Sequence, residues 1–245
     1  MGKKGQSRHL KRLNAPKTFR IARKHEKFTV RPRAQSSRMA ECIPLAIIVR
    51  EMLGYARNMK ETKYIIKQGE IFTDNIPRKD EKISVGPMDL LSIPKIEKYY
   101  RTLPWEGRRQ LKLAEIEKND SHWKLCKIIG KRILKKGNLQ LNLHDGRNVL
   151  IKPDDPSYSD YKTGGTLKIE VPGQKILDYY PFEENVPVLV MRGTASRGVS
   201  GILRSYEKRI GKNKSIAMVE SGDKTIITAL DNIFVLGTDK PSIEV

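Results

Sequence analysis

The chain has 245 residues, enough for one large domain or two to three small ones. Its 48 lysines and arginines outnumber 28 acidic residues for a net charge of +20. Such self-repulsion implies a polyanionic partner, with phosphate backbones first and anionic membranes second. The longest apolar run, about Ile43 to Val49, falls far short of the ~18 residues a membrane span needs, which argues against the membrane.

Residues 1–41 form the first unit. Residues 1–40 hold 13 basic residues against the single acid Glu26, a local net charge of +12, together with Pro16 and Pro32. With few apolar residues to bury, this arm is expected to stay disordered until RNA neutralises it. It lacks the ~7–15-residue apolar core of a secretory signal. Cys42 and Cys126 each lie in an apolar run and read as small buried hydrophobes rather than a disulfide or metal pair. A cytoplasmic location is therefore expected.

Residues 42–95 read as a small α/β unit. From Cys42, the apolar stripe Leu45, Ile48, Val49, Met52 and Leu53 predicts an amphipathic helix stopped by Gly54. A second helix is predicted from about Asn58 to Gln68, with Met59, Thr62, Ile65 and Ile66 on one side and Lys60, Lys63 and Lys67 on the other. Ile71 to Thr73 and Val85 to Leu91 read as short strands around a polar loop, and Pro94 closes the unit.

Residues 96–172 turn β-rich. Trp105 to Gln110 is basic and resists assignment, and Trp123 to Leu134 alternates loosely between apolar and basic. Leu139, Leu141 and Leu143 alternate strictly, His144-Asp145-Gly146 turns the chain, and Asn148 to Lys152 returns, a hairpin pattern. Thr166 to Val171 and, past the next boundary, Lys175 to Tyr179 read as further strands. In residues 173–245, strands at Val188–Met191, from Ile202, at Ile216–Val219 and at Thr225–Ala229 are separated by glycine-punctuated turns, as in a small β-barrel. The expected fold class is thus α+β and multidomain.

Two stretches carry a resemblance. Leu53 to Asn58, Glu61 to Asn75 and Val85-Gly86-Pro87-Met88-Asp89-Leu90-Leu91 resemble the small RNA-binding module named after ribosomal protein S-four, with Pro87-Met88 interrupting its closing pattern. Val188 to Gly193, Gly198 and Gly201-Ile202-Leu203 look like the KOW motif of ribosomal proteins and elongation factors, a KOW/SH3-like barrel. Glycines at this spacing suit either close approach to a phosphate or a purely structural turn. With "KLCKIIGKR" and "LQLNLHDGRNVLI", the whole chain resembles the archaeal and eukaryotic small-subunit ribosomal protein four, and its end at Val245 looks like the archaeal form. The resemblance implies a structural ribosomal constituent that supports translation and subunit assembly. Its partners would be small-subunit ribosomal RNA and neighbouring small-subunit ribosomal proteins.

Catalytic patterns are missing from the sequence. Gly130-Lys131 and Gly211-Lys212 lack the upstream glycine of a P-loop, and the glycines of 193–201 do not fit G-x-G-x-x-G. His9, His25, His122 and His144 have no metal-ligand spacing, and His144 reads as a turn residue. Neither an enzyme, a cofactor, a metal nor a small-molecule substrate is expected. Two rival classes remain: a pseudouridine synthase would need a larger catalytic fold with a placed Asp, and a KOW elongation factor would explain the barrel alone.

The RNA-binding residues expected are, in the arm, Lys3, Lys4, Arg8, Lys11, Arg12, Arg20, Arg23 and Lys24; in the helical unit, Arg57, Asn58, Lys60, Lys63 and Lys67; and in the barrel, Arg192, Arg197, Arg204, Lys208 and Arg209. Tyr99-Tyr100, Trp105 and Tyr179-Tyr180 suit interdomain packing better than base stacking.

Overall fold

The computed structural model describes residues 8–33, 38–193, 195–209, 214–222 and 224–243. The basic N-terminal segment is not the disordered arm its composition suggested. Between residues 8 and 33 it forms a two-stranded sheet of β1 (Leu10–Lys11) and β2 (Phe28–Thr29). Its sparse apolar side chains Leu10, Ala15 and Phe19 join a core supplied by the next unit, among Ile43, Ile47 and Leu91. Burial of a Leu- or Phe-sized side chain contributes about 1.5–3 kcal/mol, so borrowed apolar surface can order a segment that has too little of its own.

In the next unit β3 (Ile43–Pro44) precedes a helix α1 (Leu45–Ile47) that widens at once into a π turn, Ile48–Met52. The helix expected from Cys42 is thus shorter: Ile43 and Pro44 pair with β6 (Ser84–Val85), and Pro44, with φ fixed near −63°, starts the helical backbone only after it. Gly54 ends it at φ +71°, as expected. Helix α2 (Met59–Lys67) matches its predicted span, with Asn58 as its cap. The Asn58 side chain accepts from Glu61 N–H at 3.0 Å while the Glu61 carboxylate accepts from Arg57 N–H, a reciprocal box.

Strands β4 (Phe72–Thr73), β5 (Ile76–Pro77), β7 (Leu90–Ile93), β8 (Lys98–Pro104) and β9 (Leu111–Glu115) form one sheet in the order β5-β4-β7-β8-β9. The boundary expected at residue 95 therefore falls within a hairpin, and the single strand expected over Val85–Leu91 is split at Gly86–Asp89, where Met88 turns at φ +69°. The second sheet comprises β10 (Trp123–Ile133), β11 (Leu139–Leu143), β12 (Asn148–Ile151), β13 (Thr166–Glu170) and β14 (Ile176–Tyr180), in the order β12-β11-β10-β13-β14. The β11–β12 hairpin has the predicted register, with Gly146 at φ +80°, and β13–β14 pairing crosses the boundary expected at residue 172.

The last sheet holds β15 (Pro187–Val190), β16 (Ser200–Glu207), β17 (Ile216–Ser221), β18 (Lys224–Ala229) and β19 (Ile233–Val235), all antiparallel, in the order β18-β17-β16-β15-β19. Its core admits Met88 from the turn before β7, Leu103 from β8 and Leu125 from β10. The molecule is mostly β, in several sheets, with few helices. Among the described residues no helix is long and apolar enough to cross a membrane.

Candidate nucleic-acid interface

Helix α2 sorts its residues by its period. Thr62 and Ile66 are buried, while Lys60, Lys63 and Lys67 stand exposed on the other side with Arg57 just before the cap. Lys63 lies 3.6 Å from Glu81. Asn58 is committed to the cap and holds the helix start, which sets the angle at which the lysines are presented.

In the N-terminal segment Arg8, Lys11, Arg20 and Lys24 are exposed. Lys3 and Lys4 lie outside the described residues. Arg12 and Arg23 face inward instead. Arg12 is 3% exposed, donates to Phe28 O and Ala22 O, and pairs with Glu26 at 3.2 Å. Arg23 donates to the carbonyls of Arg12, Ala15 and Pro16, closing the loop between β1 and β2. Composition alone cannot separate such fold-holding arginines from presented ones.

On the last sheet Arg204 pairs with Glu220, Arg209 pairs with Glu207 at 3.0 Å, and exposed Lys208 lies 5.7 Å from the centre of the Tyr206 ring. Arg192 pairs with Glu41 at 2.9 Å across 151 residues. Arg197 is only 8% exposed. One of its Nη groups donates to Arg109 O at 2.9 Å, and its Nε is buried with no hydrogen-bond partner. Burial pushes its pKa down, the Glu41 charge opposes this in part, and the Arg192 charge adds a smaller push downward.

These two arginines line a cleft of about 1020 Å³ where the N-terminal segment and the last two sheets meet. Lys17, Arg38, Arg109 and Lys127 are on its wall as well, against the acids Glu41 and Asp231. Lys127 donates to Ile233 O at 2.6 Å and Asp231 O at 3.2 Å, tying the second sheet to the third, and burial lowers its pKa to about 8.

Two glycines of the 193–201 loop, Gly198 and Gly201, answer to the chain itself. A Cβ on Gly198 would lie 2.5 Å from Glu106 N, and one on Gly201 would lie 2.2 Å from Glu220 O. Both mark close backbone packing, the structural one of the two roles their spacing allowed. Of the aromatics, Trp105 has the Arg108 and Arg20 guanidiniums 4.6 and 5.2 Å from its ring centre. Trp123 is met by Arg101 at 4.4 Å and Lys168 at 4.1 Å.

Beneath this surface lies a charge cluster that sequence reading missed. Lys124, fully buried on β10, places Nζ 2.9 Å from Asp74, 2.7 Å from Asp89 and 2.9 Å from Asp145. Arg147 adds bonds to Asp74 at 2.6 Å and Asp145 at 3.1 Å. The three carboxylates converge as they would on a metal ion, and the Lys124 ammonium occupies that position. The carboxylates hold the ammonium pKa well above its usual value, overriding the burial that opposes it. Asp145, although burial raises carboxyl pKa values, is held far below the usual range by Lys124.

His144 joins the turn before β7 to the second and the last five-stranded sheets. Its Nδ1 accepts from Lys127 N–H, its Nε2 faces Pro87 O at 3.3 Å, and its ring meets Phe234 edge-on at 5.3 Å. Burial lowers its pKa to about 4. The unfolded imidazole takes up a proton near pH 6.5 and the folded one only near pH 4, so this stabilisation is complete above pH 6.5 and falls as pH drops through that window. At 1.36 kcal/mol per unit, up to about 3 kcal/mol is lost by pH 4. Urea unfolding of His144→Gln beside the parent protein checks this. The gap between their stabilities should change with pH between 6.5 and 4, and a constant gap would refute the assignment.

Comparison with known proteins agrees along the chain. The family described as Ribosomal family S4e matches residues 96–176, and the RS4NT (NUC023) domain matches residues 4–34. A protein of Methanocaldococcus jannaschii named small ribosomal subunit protein eS4 is 42% identical over the full length of both chains. Its namesake in Desulfurococcus amylolyticus is 41% identical, covering all of this chain and 98% of that protein. Among solved structures, the crystal structure of the 30S ribosomal protein S4e from Thermoplasma acidophilum has a TM-score of 0.66 at 25% identity, covering 81% of this chain and 96% of that one. With archaeal relatives this similar from end to end, the chain belongs to the S4e family of ribosomal proteins, structural constituents of the ribosome and not enzymes.

Proposed function

We propose that this protein is a structural constituent of the small ribosomal subunit in its archaeal form, located in the cytoplasm, that binds small-subunit ribosomal RNA and contacts neighbouring ribosomal proteins. The end-to-end similarity to proteins named small ribosomal subunit protein eS4 carries the reading. The net charge of +20 and the exposed lysines of α2 support it. In this reading α2 and its flanking strands act as the S-four-type module, and the last sheet as a KOW/SH3-like barrel. Presented on rigid elements, cations displace counterions from the phosphate backbone, and the spacing between elements fixes which RNA helices are held. Arg8, Lys11, Arg20 and Lys24, then Arg57, Lys60 and Lys67, are the side chains best placed for this, while Arg12, Arg23 and Asn58 act by holding those elements in place.

The test is filter binding of the full chain to a small-subunit ribosomal RNA fragment across a salt series. Lys60→Glu with Lys67→Glu should weaken binding at least tenfold and reduce the log–log salt slope by about 1.4–1.8, two contacts at ~0.7–0.9 each. An unchanged slope would remove α2 from the interface. Sucrose-gradient fractionation is the companion measurement, and stoichiometric presence in high-salt-washed small subunits is the result expected.

A further inference from the structure

The cleft between the N-terminal segment and the last two sheets holds six cationic side chains against two acids, a net formal charge of +4 in one concavity. Elsewhere among the described residues, buried Lys124 is matched by three carboxylates. Here the match is incomplete. Arg192 has Glu41, but Arg197 is buried with its Nε unpaired, and its hydrogen bond runs to a neutral carbonyl. A buried guanidinium with no directly bonded anion is costly, a second arginine nearby adds to the cost, and the Glu41 charge offsets only part of it. An anion entering the cleft relieves both.

The lining also sets the kind of anion. Arg38 and Arg192 carry planar guanidiniums whose geometry matches phosphate oxygens, the Arg192 one shared with Glu41. The lining also carries apolar side chains, Ile129 at 58% exposure together with Phe182 and Met191. A basic track with apolar and aromatic surface at its side is the arrangement that holds single-stranded nucleic acid, with phosphates on the cations and bases on the flat surface. A duplex presents its phosphates on a convex rod and cannot enter a concavity of this size, whereas an unpaired nucleotide can.

We propose that this cleft is a docking site for an unpaired segment of RNA, seated on Arg192 and Arg197 and covering Ile129. It rests on the RNA-binding reading above and adds a second mode to it: duplex backbone on α2, single strand in the cleft.

The experiment uses the full chain, fluorescently labelled hexauridylate as the single-strand probe, hexaglutamate as the acidic-peptide probe, and the ribosomal RNA fragment. Ile129→Glu introduces a carboxylate at an exposed position, and Arg197→Gln removes the buried charge. Both variants should weaken hexauridylate binding at least tenfold, while Lys60→Glu with Lys67→Glu changes it by less than about threefold. Ile129→Glu should keep the parent melting temperature, so it remains informative if Arg197→Gln disturbs the fold. Parent-like hexauridylate binding by Ile129→Glu, with the RNA fragment still bound, overturns the cleft site and leaves the RNA-binding reading standing. Hexaglutamate bound as tightly as hexauridylate overturns it in favour of an acidic protein segment. Failure of the parent chain to bind the RNA fragment at all removes the RNA-binding reading itself.

Discussion

Lys124→Met is expected to lower the stability of the protein by about 3–5 kcal/mol, the cost typical of removing one partner from a buried ion network. In a chain of this size that corresponds to a fall in melting temperature of roughly 6–20 °C. The reason is geometric. Three carboxylates, Asp74, Asp89 and Asp145, are drawn to within 2.9 Å of one ammonium, and Arg147 compensates only two of them. Methionine fills similar volume without the charge, leaving buried carboxylates that must either protonate or admit water. Adding Asp89→Asn to Lys124→Met should recover part of the loss, since Asp89 is the carboxylate that Arg147 does not reach and its pKa is already raised by burial. Calorimetry at pH 7 decides it. A fall of less than 3 °C for Lys124→Met would show that the buried network does not contribute this stability.

Gly198→Ala should be the second large loss. Gly198 sits at φ +83°, and an added Cβ would meet Glu106 N at 2.5 Å and the Trp105 carbonyl carbon at 2.7 Å. Backbone cannot yield as a side-chain tip does. The left-handed conformation costs a non-glycine residue about 1–3 kcal/mol, and overpacking adds about 1–3 kcal/mol. Gly54→Ala is the control, because Gly54 shares the left-handed conformation, φ +71°, yet nothing lies within 4 Å of its added Cβ. The difference between the two variants in denaturant midpoint isolates the close approach. Equal losses would show that the contact between this loop and the β8–β9 connection contributes nothing.

What the sequence disclosed follows from the range of the signal. Helix α2 and the β11–β12 hairpin are set by periodicity and turn chemistry within a dozen residues, and both appear where expected. The N-terminal segment was misjudged because its few apolar residues are covered by a core that begins thirty residues later. Strands β8 and β9 were not recognised, since Tyr99-Tyr100-Arg101 breaks any alternation; yet Arg101 is 2% exposed, its guanidinium bonded to Asp120 O and Trp123 O. Lys124 looked like one more basic residue in a loosely alternating strand, and Asp145 like turn chemistry alone. Lys124 meets Asp145 21 positions later and Asp74 50 positions earlier, which no local pattern can announce. One signal was available: an aspartate framed by Met88, Leu90 and Leu91, where a carboxylate among apolar neighbours demands a distant cation.

The same distances bear on how the chain acquires its shape during synthesis. Asp89 and Asp74 precede Lys124 by 35 and 50 residues. At about 5–20 residues per second, a nascent chain spends several seconds with these acids made and their counter-charge still unwritten. Until Lys124 emerges, the early unit can gather its apolar core but must keep both aspartates in water. Its final tightening is thereby deferred to the arrival of β10, so the ribosome producing this chain sees it close from the middle and not from the front.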